Sequence, residues 1–565
     1  MPTLDWIGKK AVVNHHREVP YRLLHCDKGH SGGDADAGNL LVQGDNLHAL
    51  KALLPYYADK VKCIYIDPPY NTGNENWVYN DNVNSPEIRK WLRHAVGREG
   101  EDLSRHDKWL CMMYPRLALL KEFLTEDGAI FISIDDNEIG RLKILMEEVF
   151  GTPNELATLV WEKGKKGDAK FFSVSHEYVV VFANKKSTLV QRGVKWRKRK
   201  AGAAAVLEHY QQVRNDHPSD HEQIRKVMMK WFRSLPNTDV RKGHKHYNWS
   251  DDRGLYFPDN FHGPDDGRES RPRYDIIHPT TGKPCAKPST GWRWEEERTK
   301  AALAEKPPRI HFGPDETTIP CRKSYLFEVN EEPFQSVFYT DGRAATLEVE
   351  RLVGKGAFGF PKDSRIIAEL ASLATDKNSL ILDSFAGSGT TGHAVLALNK
   401  ADGGNRRFIL VEMDENICRD VTAQRLTRVI DGYGDVAGLG GGYRFCTLGE
   451  PLFDELGQIR EGVKFPDLAA HIFFTETGTP IPQRATGKTP LLGVHDGKAV
   501  YLLFNGVMGD KRPQSGNVLT GDVLRQLPAH DGTKIIYGES CRLGVERLRR
   551  AEIVFKQVPY EIKVS

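Results

Sequence analysis

The sequence lacks most of the features that mark a protein made for export, for a membrane or for a structural metal. Its 565 residues include eight cysteines, widely scattered and with no CxxC pair. That excludes a zinc ribbon and a disulfide-stapled scaffold and predicts a reducing cytosol, hence a cytoplasmic protein. No apolar run comes near the roughly 18 residues that span a bilayer. The opening MPTLDWIGKK has no signal-peptide core, so no membrane association is expected. There is no internal repeat and no long low-complexity tract. An excess of one charge is also missing: the formal net charge is +3, with a pI near 8.2. Binding to nucleic acid must therefore come from local basic patches rather than from the overall field. His15, His16, His25, Cys26 and His30 lie close together, but their spacing fits no metal motif, and no acidic metal-binding cluster stands out. Gly487-Lys488-Thr489 ends like a P-loop, yet the glycine required five residues earlier is Pro482, so that pattern fails. No nuclease or helicase motif is present.

Against these absences one stretch stands out, KCIYIDPPYNTG at 62–73. Cys63 to Ile66 is a short apolar run rich in β-branched and aromatic residues, and reads as a buried strand. The strand stops at Asp67-Pro68-Pro69-Tyr70. Two prolines fix φ and remove two backbone donors, which makes a stiff turn with free carbonyls. An acid, a rigid carbonyl and an aromatic ring are then offered together at the C-terminal end of a strand, where open α/β sheets bind ligands. The set suits a planar exocyclic amine: Asp67 and the Pro68 carbonyl each accept one hydrogen, and Tyr70 stacks on the attached ring.

A second stretch, SLILDSFAGSGTTGHAVLAL at 379–398, reads as strand, glycine-rich turn and helix. Gly387 and Gly389 allow close backbone approach to a ligand at a helix N-terminus. Arg407 to Val411 is the next strand, and it ends in Glu412, an acid able to accept both hydroxyls of a ribose. The pair of segments is a nucleoside-binding βαβ unit. Gly387, Gly389 and Gly392 also satisfy G-x-G-x-x-G, the dinucleotide fingerprint, which keeps an oxidoreductase as a rival. Upstream, Asn39 to Leu54 reads as strand, turn and helix, with Asp45 or Asn46 as the cap.

The tetrapeptide Asp67 to Tyr70 resembles motif IV of DNA amino-methyltransferases. Asp383 to Thr391 resembles their motif I more closely than it resembles a dinucleotide site. The resemblance implies methyl transfer from S-adenosyl-L-methionine to adenine N6 or cytosine N4 of a base flipped out of double-stranded DNA, with Asp67, Pro68, Pro69 and Tyr70 catalytic. It implies cofactor contacts along Asp383, Phe385, Ala386, Gly387, Ser388, Gly389, Thr390 and Thr391, with Glu412 on the ribose and Met413 near the adenine ring. An acid at the turn of Asp45 lies near the cofactor's adenine in some members. Segment 355–374 resembles motif X, with the usual Lys-Pro order appearing as Pro361-Lys362. Because motif IV precedes motif I with a long insert between them, the arrangement resembles the beta class, as in Mod subunits of Type III restriction–modification systems and related solitary adenine methyltransferases. Asp at the first position of motif IV favours adenine, since a carboxylate is the stronger acceptor. Two alternatives stay open: a cytosine N4-methyltransferase, and a non-catalytic specificity subunit.

The expected fold is α/β, a doubly wound and permuted methyltransferase sheet. Five regions are expected: an irregular arm over 1–38, a catalytic half over 39–184, a target-recognition domain over 185–345, a cofactor half over 346–445 and a small α/β docking or dimerisation domain over 446–565. The insert carries the basic cluster Lys195 to Lys200 and the basic–aromatic stretch Arg273 to Trp294, which suit phosphate and base contacts. The charged loop over 71–107, with Trp77, Tyr79 and Trp91, is expected to close over the flipped base. The resemblance also implies a Res-type restriction partner and a homodimer.

Overall fold

The computed structural model describes residues 3–72, 90, 93–94, 104–164, 171–266, 271–509 and 517–559. The loop expected to close over the base falls almost wholly outside these residues. Two units are distinguished, one of Met1–Lys195 with Gln335–Ser565 and one of Trp196–Phe334.

In the first unit the apolar runs of the sequence become strands of a single sheet. In chain order these are β1 (Arg22–Gly33), β2 (Leu40–Gln43), β3 (Val61–Ile66), β4 (Leu124–Ile134), β5 (Glu155–Glu162), β6 (His176–Ala183), β7 (Val337–Tyr339), β8 (Leu380–Asp383), β9 (Arg407–Glu412) and β10 (Gly442–Pro451). Their spatial order is β1-β10-β2-β9-β8-β3-β4-β6-β5-β7. From β10 to β4 every neighbour is parallel, and antiparallel pairs are confined to the flanks. The centre is buried on both faces, which is why its strands are continuous apolar runs rather than alternating ones.

Helices α1 (Asn46–Tyr57), α2 (Arg105–Phe123) and α3 (Ile139–Phe150) share one core with Val42, Ile64, Ile66, Ile132, Leu382 and Val411. Alternate residues of the same strands point to the other face. There α5 (Thr390–Asp402) packs so closely that a Cβ on Gly392 would meet Leu426 at 2.7 Å and Leu410 at 3.0 Å. Gly392 is thus needed for packing of its helix. The doubly wound fold is as expected, including α4 (Ser364–Ala374), whose N-cap is Asp363.

The N-terminal segment differs from expectation. It contains two one-turn helices, Lys9–Val12 and His15–Glu18, and then β1. Its composition is too polar for a free-standing strand, but β10 supplies a partner along its length, and Cys26 lies opposite Cys446. The C-terminal region is part of the first unit. It has its own four-stranded sheet of Leu491–His495, Lys498–Leu502, Lys534–Gly538 and Ile553–Gln557.

The second unit, Trp196–Phe334, packs helices Ala203–Asp216 and His221–Ser234 around Val206, Tyr210, Ile224, Met228 and Phe232. A four-stranded antiparallel sheet accompanies them. Part of the basic cluster is used internally: Lys198 and Arg199 pair across strands with Glu332 and Glu331. Such opposite-charge pairs stabilise a ladder by a few tenths of a kcal/mol to about 1 kcal/mol.

Candidate active site

Strand β3 delivers Asp67 to the carboxyl edge of the sheet, and the two prolines turn the chain away from it. The turn is anchored from both sides. The Trp109 indole donates to the Pro69 carbonyl at 2.7 Å. Asn71, fully buried with φ +59°, donates through its amide to Glu138 and to the Arg105 carbonyl. Asn is among the few side chains that tolerate this left-handed backbone. Tyr65 below the turn shares a hydrogen bond of 2.7 Å with Ser133.

The acid itself is largely buried, its side chain 15% exposed. Its Oδ2 lies 2.8 Å from the Lys362 ammonium, while its Oδ1 is buried with no hydrogen-bond partner among the described residues. Lys362 also lies 3.7 Å from Glu177 and 4.8 Å from the centre of the Tyr70 ring. Glu177 pairs with Lys163 at 2.7 Å and accepts from the Tyr70 hydroxyl at 3.3 Å. Burial raises the pKa of Asp67, Lys362 opposes that rise, and the nearby charge of Glu177 adds to it. Burial also works against the ionised form of Glu177, but Lys362 and Lys163 together overcome it and hold its pKa below the usual value. The result is a largely buried group of two carboxylates and two ammonium ions, with Lys163 at its exposed edge.

The neighbouring strand β8 ends in Asp383, and the two strands are hydrogen-bonded in register, Leu382 beside Ile64. Asp383 accepts from the Phe385 backbone at 3.0 Å and from the Thr391 hydroxyl at 2.5 Å. The turn needs its glycines: Gly387 has φ +50° and Gly389, the N-cap of α5, has φ +78°. Glu412 at the end of β9 accepts from the Gly387 backbone at 2.8 Å and from Asp414 at 2.9 Å. Burial pushes Asp383 up to about 7 and Glu412 up to about 8. Ser388 and Thr390 are held at 2.9 Å by Arg425, which is itself paired with Glu348. Phe385 and Met413 pack half-buried against the main core.

Two clefts open on this edge. One is walled by Tyr65, Asp383, Phe385, Gly387, Ser388 and Thr390, the other by Pro68, Tyr70, Lys163 and Glu177, and both include Asp67, Phe360 and Lys362. They meet at the carboxylate. Asp45 lines neither. It caps α1 by accepting from Leu47 and His48, and pairs with Arg116 at 3.1 Å. The adjacent Asn46 donates to the Ser384 carbonyl at 3.1 Å, which ties that cap to the glycine turn. Glu177, Lys163 and Asn71 were not singled out by sequence reasoning, and Lys362 was noted only as part of the inverted Pro361-Lys362 pair. The available signals were a charge heading the apolar run EYVVVFA and an Asn directly after Asp67-Pro68-Pro69-Tyr70.

A model of the DNA methylase family, of the N6/N4 methyltransferase type, matches residues 61–424, well over half of the chain. The chain belongs to this family. The EcoP15I Mod subunit of a Type III restriction–modification enzyme from Escherichia coli is 34% identical over 455 residues, covering 75% of this chain and 68% of that one. The StyLTI Mod subunit from Salmonella typhimurium is 28% identical over 642 residues, covering 99% and 89%. The Type II methyltransferase M.KpnI of Klebsiella pneumoniae is 28% identical over 71% of this chain and 90% of its own. Among solved structures, the M1.HpyAVI–SAM complex matches with a TM-score of 0.28 at 12% identity, over 68% of this chain and 98% of that one.

The methylase is thus Mod-like, as its motifs imply, and S-adenosylmethionine is its cofactor. The glycine turn fits such a group. Its two left-handed glycines present bare backbone, and Glu412 is a buried carboxylate that no cation neutralises among the described residues. The dinucleotide reading falls with the family match, since a DNA methylase model covers both the glycine turn and the Asp67 turn.

Proposed function

We propose that the methylase modifies N6 of an adenine turned out of double-stranded DNA, with Asp67 and the Pro68 carbonyl holding the amine and Tyr70 stacking on the base. The turn from Asp383 through Thr391, with Glu412 and Met413, holds the cofactor. Asp45 enters this reading through the cap that Asn46 links to Ser384. The observation that carries the proposal is the meeting of two clefts at Asp67, from loops that follow adjacent strands.

S-Adenosylmethionine, when bound, supplies an electrophilic methyl group on a sulfonium. The rest of the chemistry is done by side chains and backbone. An exocyclic amine is a poor nucleophile because its lone pair is delocalised into the ring. Oδ1 of Asp67, the partnerless oxygen, accepts one of its hydrogens and the Pro68 carbonyl accepts the other, since the Pro69 carbonyl is taken by Trp109. That geometry draws the nitrogen toward a tetrahedral arrangement and frees the lone pair, an interaction strengthened in the transition state. The surplus proton of the methylated amine then passes to Asp67. A fixed angle of approach supplies the rest of the rate.

A carboxylate in the first motif position is a stronger acceptor than a hydroxyl, which supports adenine over cytosine N4. In this reading the Trp196–Phe334 unit reads the DNA sequence, and the C-terminal sheet docks a second copy or a Res-type restriction subunit, as befits relatives named as Mod subunits. The protein works in the cytoplasm. Asp67→Ala tests the chemistry: transfer of tritiated methyl groups to unmethylated genomic DNA falls by at least about 10³-fold, while calorimetric cofactor affinity stays within a few-fold. Surviving transfer overturns the mechanism, and modified cytosine in digested product DNA overturns the choice of base.

A further inference from the structure

The buried Lys362 has no part in the reaction as described, yet it takes up one of the two oxygens of the acceptor Asp67. We infer that Lys362 is a positioning residue, whose ammonium holds Oδ2 of Asp67 so that Oδ1 alone faces the substrate amine, with Glu177 and Lys163 sharing out the charge around it. The inference rests on the reading that Asp67 receives the amine.

The geometry leaves Lys362 little freedom. It is 7% exposed, 2.8 Å from Asp67, 3.7 Å from Glu177 and 4.8 Å from the Tyr70 ring centre. It therefore touches the acceptor, the stacking platform and a second acid at once. It arrives from the segment before α4, and Phe360 two residues earlier holds φ +54°. For a bulky side chain that conformation is strained and persists only where surrounding structure enforces it. Phe360 and Lys362 line both clefts.

A carboxylate that accepts from an amine must be ionised and aimed. Burial opposes ionisation, so a cation fixed on one oxygen supplies what the lost water cannot. A carboxylate pinned at Oδ2 also cannot rotate its other oxygen away, which is the preorganisation that transition-state hydrogen bonds need. Glu177 competes for the same ammonium and is itself neutralised by Lys163 at 2.7 Å. Among the described groups around Asp67, Lys362, Lys163 and a hydrogen bond from Tyr70 favour its ionised form, Glu177 and Asp383 oppose it, and Tyr65 completes its surroundings.

Removing each charge moves the acidic limb of the rate profile in a predictable direction. Lys362→Met strips Asp67 of its cation, so the limb moves to higher pH and transfer at neutral pH falls by about 100-fold, recovering in part as pH rises. Glu177→Gln removes a like charge and moves the limb to lower pH. Lys362→Arg restores a cation and recovers part of the rate. The measurement is single-turnover transfer of tritiated methyl from saturating S-adenosylmethionine to unmethylated genomic DNA over pH 5–9, with cofactor affinity by calorimetry to establish that each variant is folded. A merely structural role lowers rates without opposite shifts of the limb. Profiles that superimpose on wild type, or that shift in the same direction, overturn the inference. If Asp67→Ala is inactive while both variants keep the wild-type profile, only Lys362 is misassigned; if Asp67→Ala is active, the mechanism falls with it.

Discussion

Two clusters of buried carboxylates sit side by side on one sheet edge, and they are satisfied in opposite ways. At the amine cleft, Asp67 and Glu177 are matched by Lys362 and Lys163. At the glycine turn, Asp383 and Glu412 accept from backbone amides and a threonine hydroxyl, with no ion pair among the described residues. Both clusters lie largely out of water, so the difference lies in the partners. A carboxylate neutralised in advance is ready as an anion to grip a neutral amine. One left without a cation is held in its protonated range, at about 7 and about 8, and gains its charge balance only when a ligand brings hydroxyl donors or positive charge. In the proposed reading the cofactor offers both, with ribose hydroxyls for Glu412 and a sulfonium near the turn.

The sharpest way to break this contrast is to exchange its consequences. Glu412→Ala weakens S-adenosylmethionine binding by about 100-fold, because hydrogen bonds to a charged acceptor contribute roughly 1.5–3 kcal/mol, and leaves DNA affinity unchanged in a filter or anisotropy assay. Asp67→Ala does the reverse, stopping transfer and sparing the cofactor. Loss of cofactor affinity in both variants to the same extent would mean that the two carboxylates form a single site, and the contrast would vanish.

Protonation gives the next largest effect. With Glu412 titrating at about 8 in the free enzyme, cofactor binding at pH 7 requires release of about one proton. Affinity therefore rises by up to about tenfold per pH unit below 8 and levels off above it. Calorimetry in buffers of different ionisation heat reads the proton count, and Glu412→Gln removes the pH dependence. For the free protein the sign is opposite. Both carboxyls have folded values raised above their ordinary 3.8 and 4.5, so their stabilising contribution is whole below those ordinary values and is lost progressively as pH rises to about 8. The Tm of the free enzyme therefore falls from about pH 5 to about pH 8 and levels off above it, and the cofactor reduces the fall. A flat Tm over that range would mean that a cation neutralises Glu412 after all.

The same contrast explains what could be read in the sequence. Asp67, Tyr70 and the glycine turn each lie in one short segment whose backbone requirements, two prolines or two left-handed glycines, are local and therefore legible. Lys362, Glu177 and Lys163 come from three separate segments: Lys163 follows β5 and Glu177 lies on β6, neighbours in the sheet, while Lys362 arrives from the segment before α4. Their charges look like ordinary surface charges until the topology buries them. The first 38 residues failed for a related reason: a run as polar as LLHCDKGHSGG is a poor strand alone, and its ladder partner lies at the other end of the chain. The centre of the sheet needed no such partner, because its apolar runs already exceed what a half-buried strand requires.

The smallest effect tests whether the glycine turn is shaped for its ligand or only for its own folding. At Gly389, with φ +78°, a Cβ would lie 3.0 Å from the Thr422 methyl. Thr422 cannot give way freely, since its hydroxyl donates to the Gly387 carbonyl at 2.5 Å and is also within 3.1 Å of the Ile417 carbonyl. Left-handed strain in a non-glycine residue costs of order 1–3 kcal/mol. Gly389→Ala is therefore expected to lower Tm by a few degrees and, by tilting the N-terminus of α5, to weaken the cofactor by about 5- to 10-fold. Asp67 hangs on the next strand and is not attached to this turn, so the transfer rate at saturating cofactor stays within about twofold of wild type. A large loss of rate at saturation, with little loss of affinity, would show instead that the turn and the amine cleft move as one body, and that the two carboxylate clusters are coupled through the backbone between them.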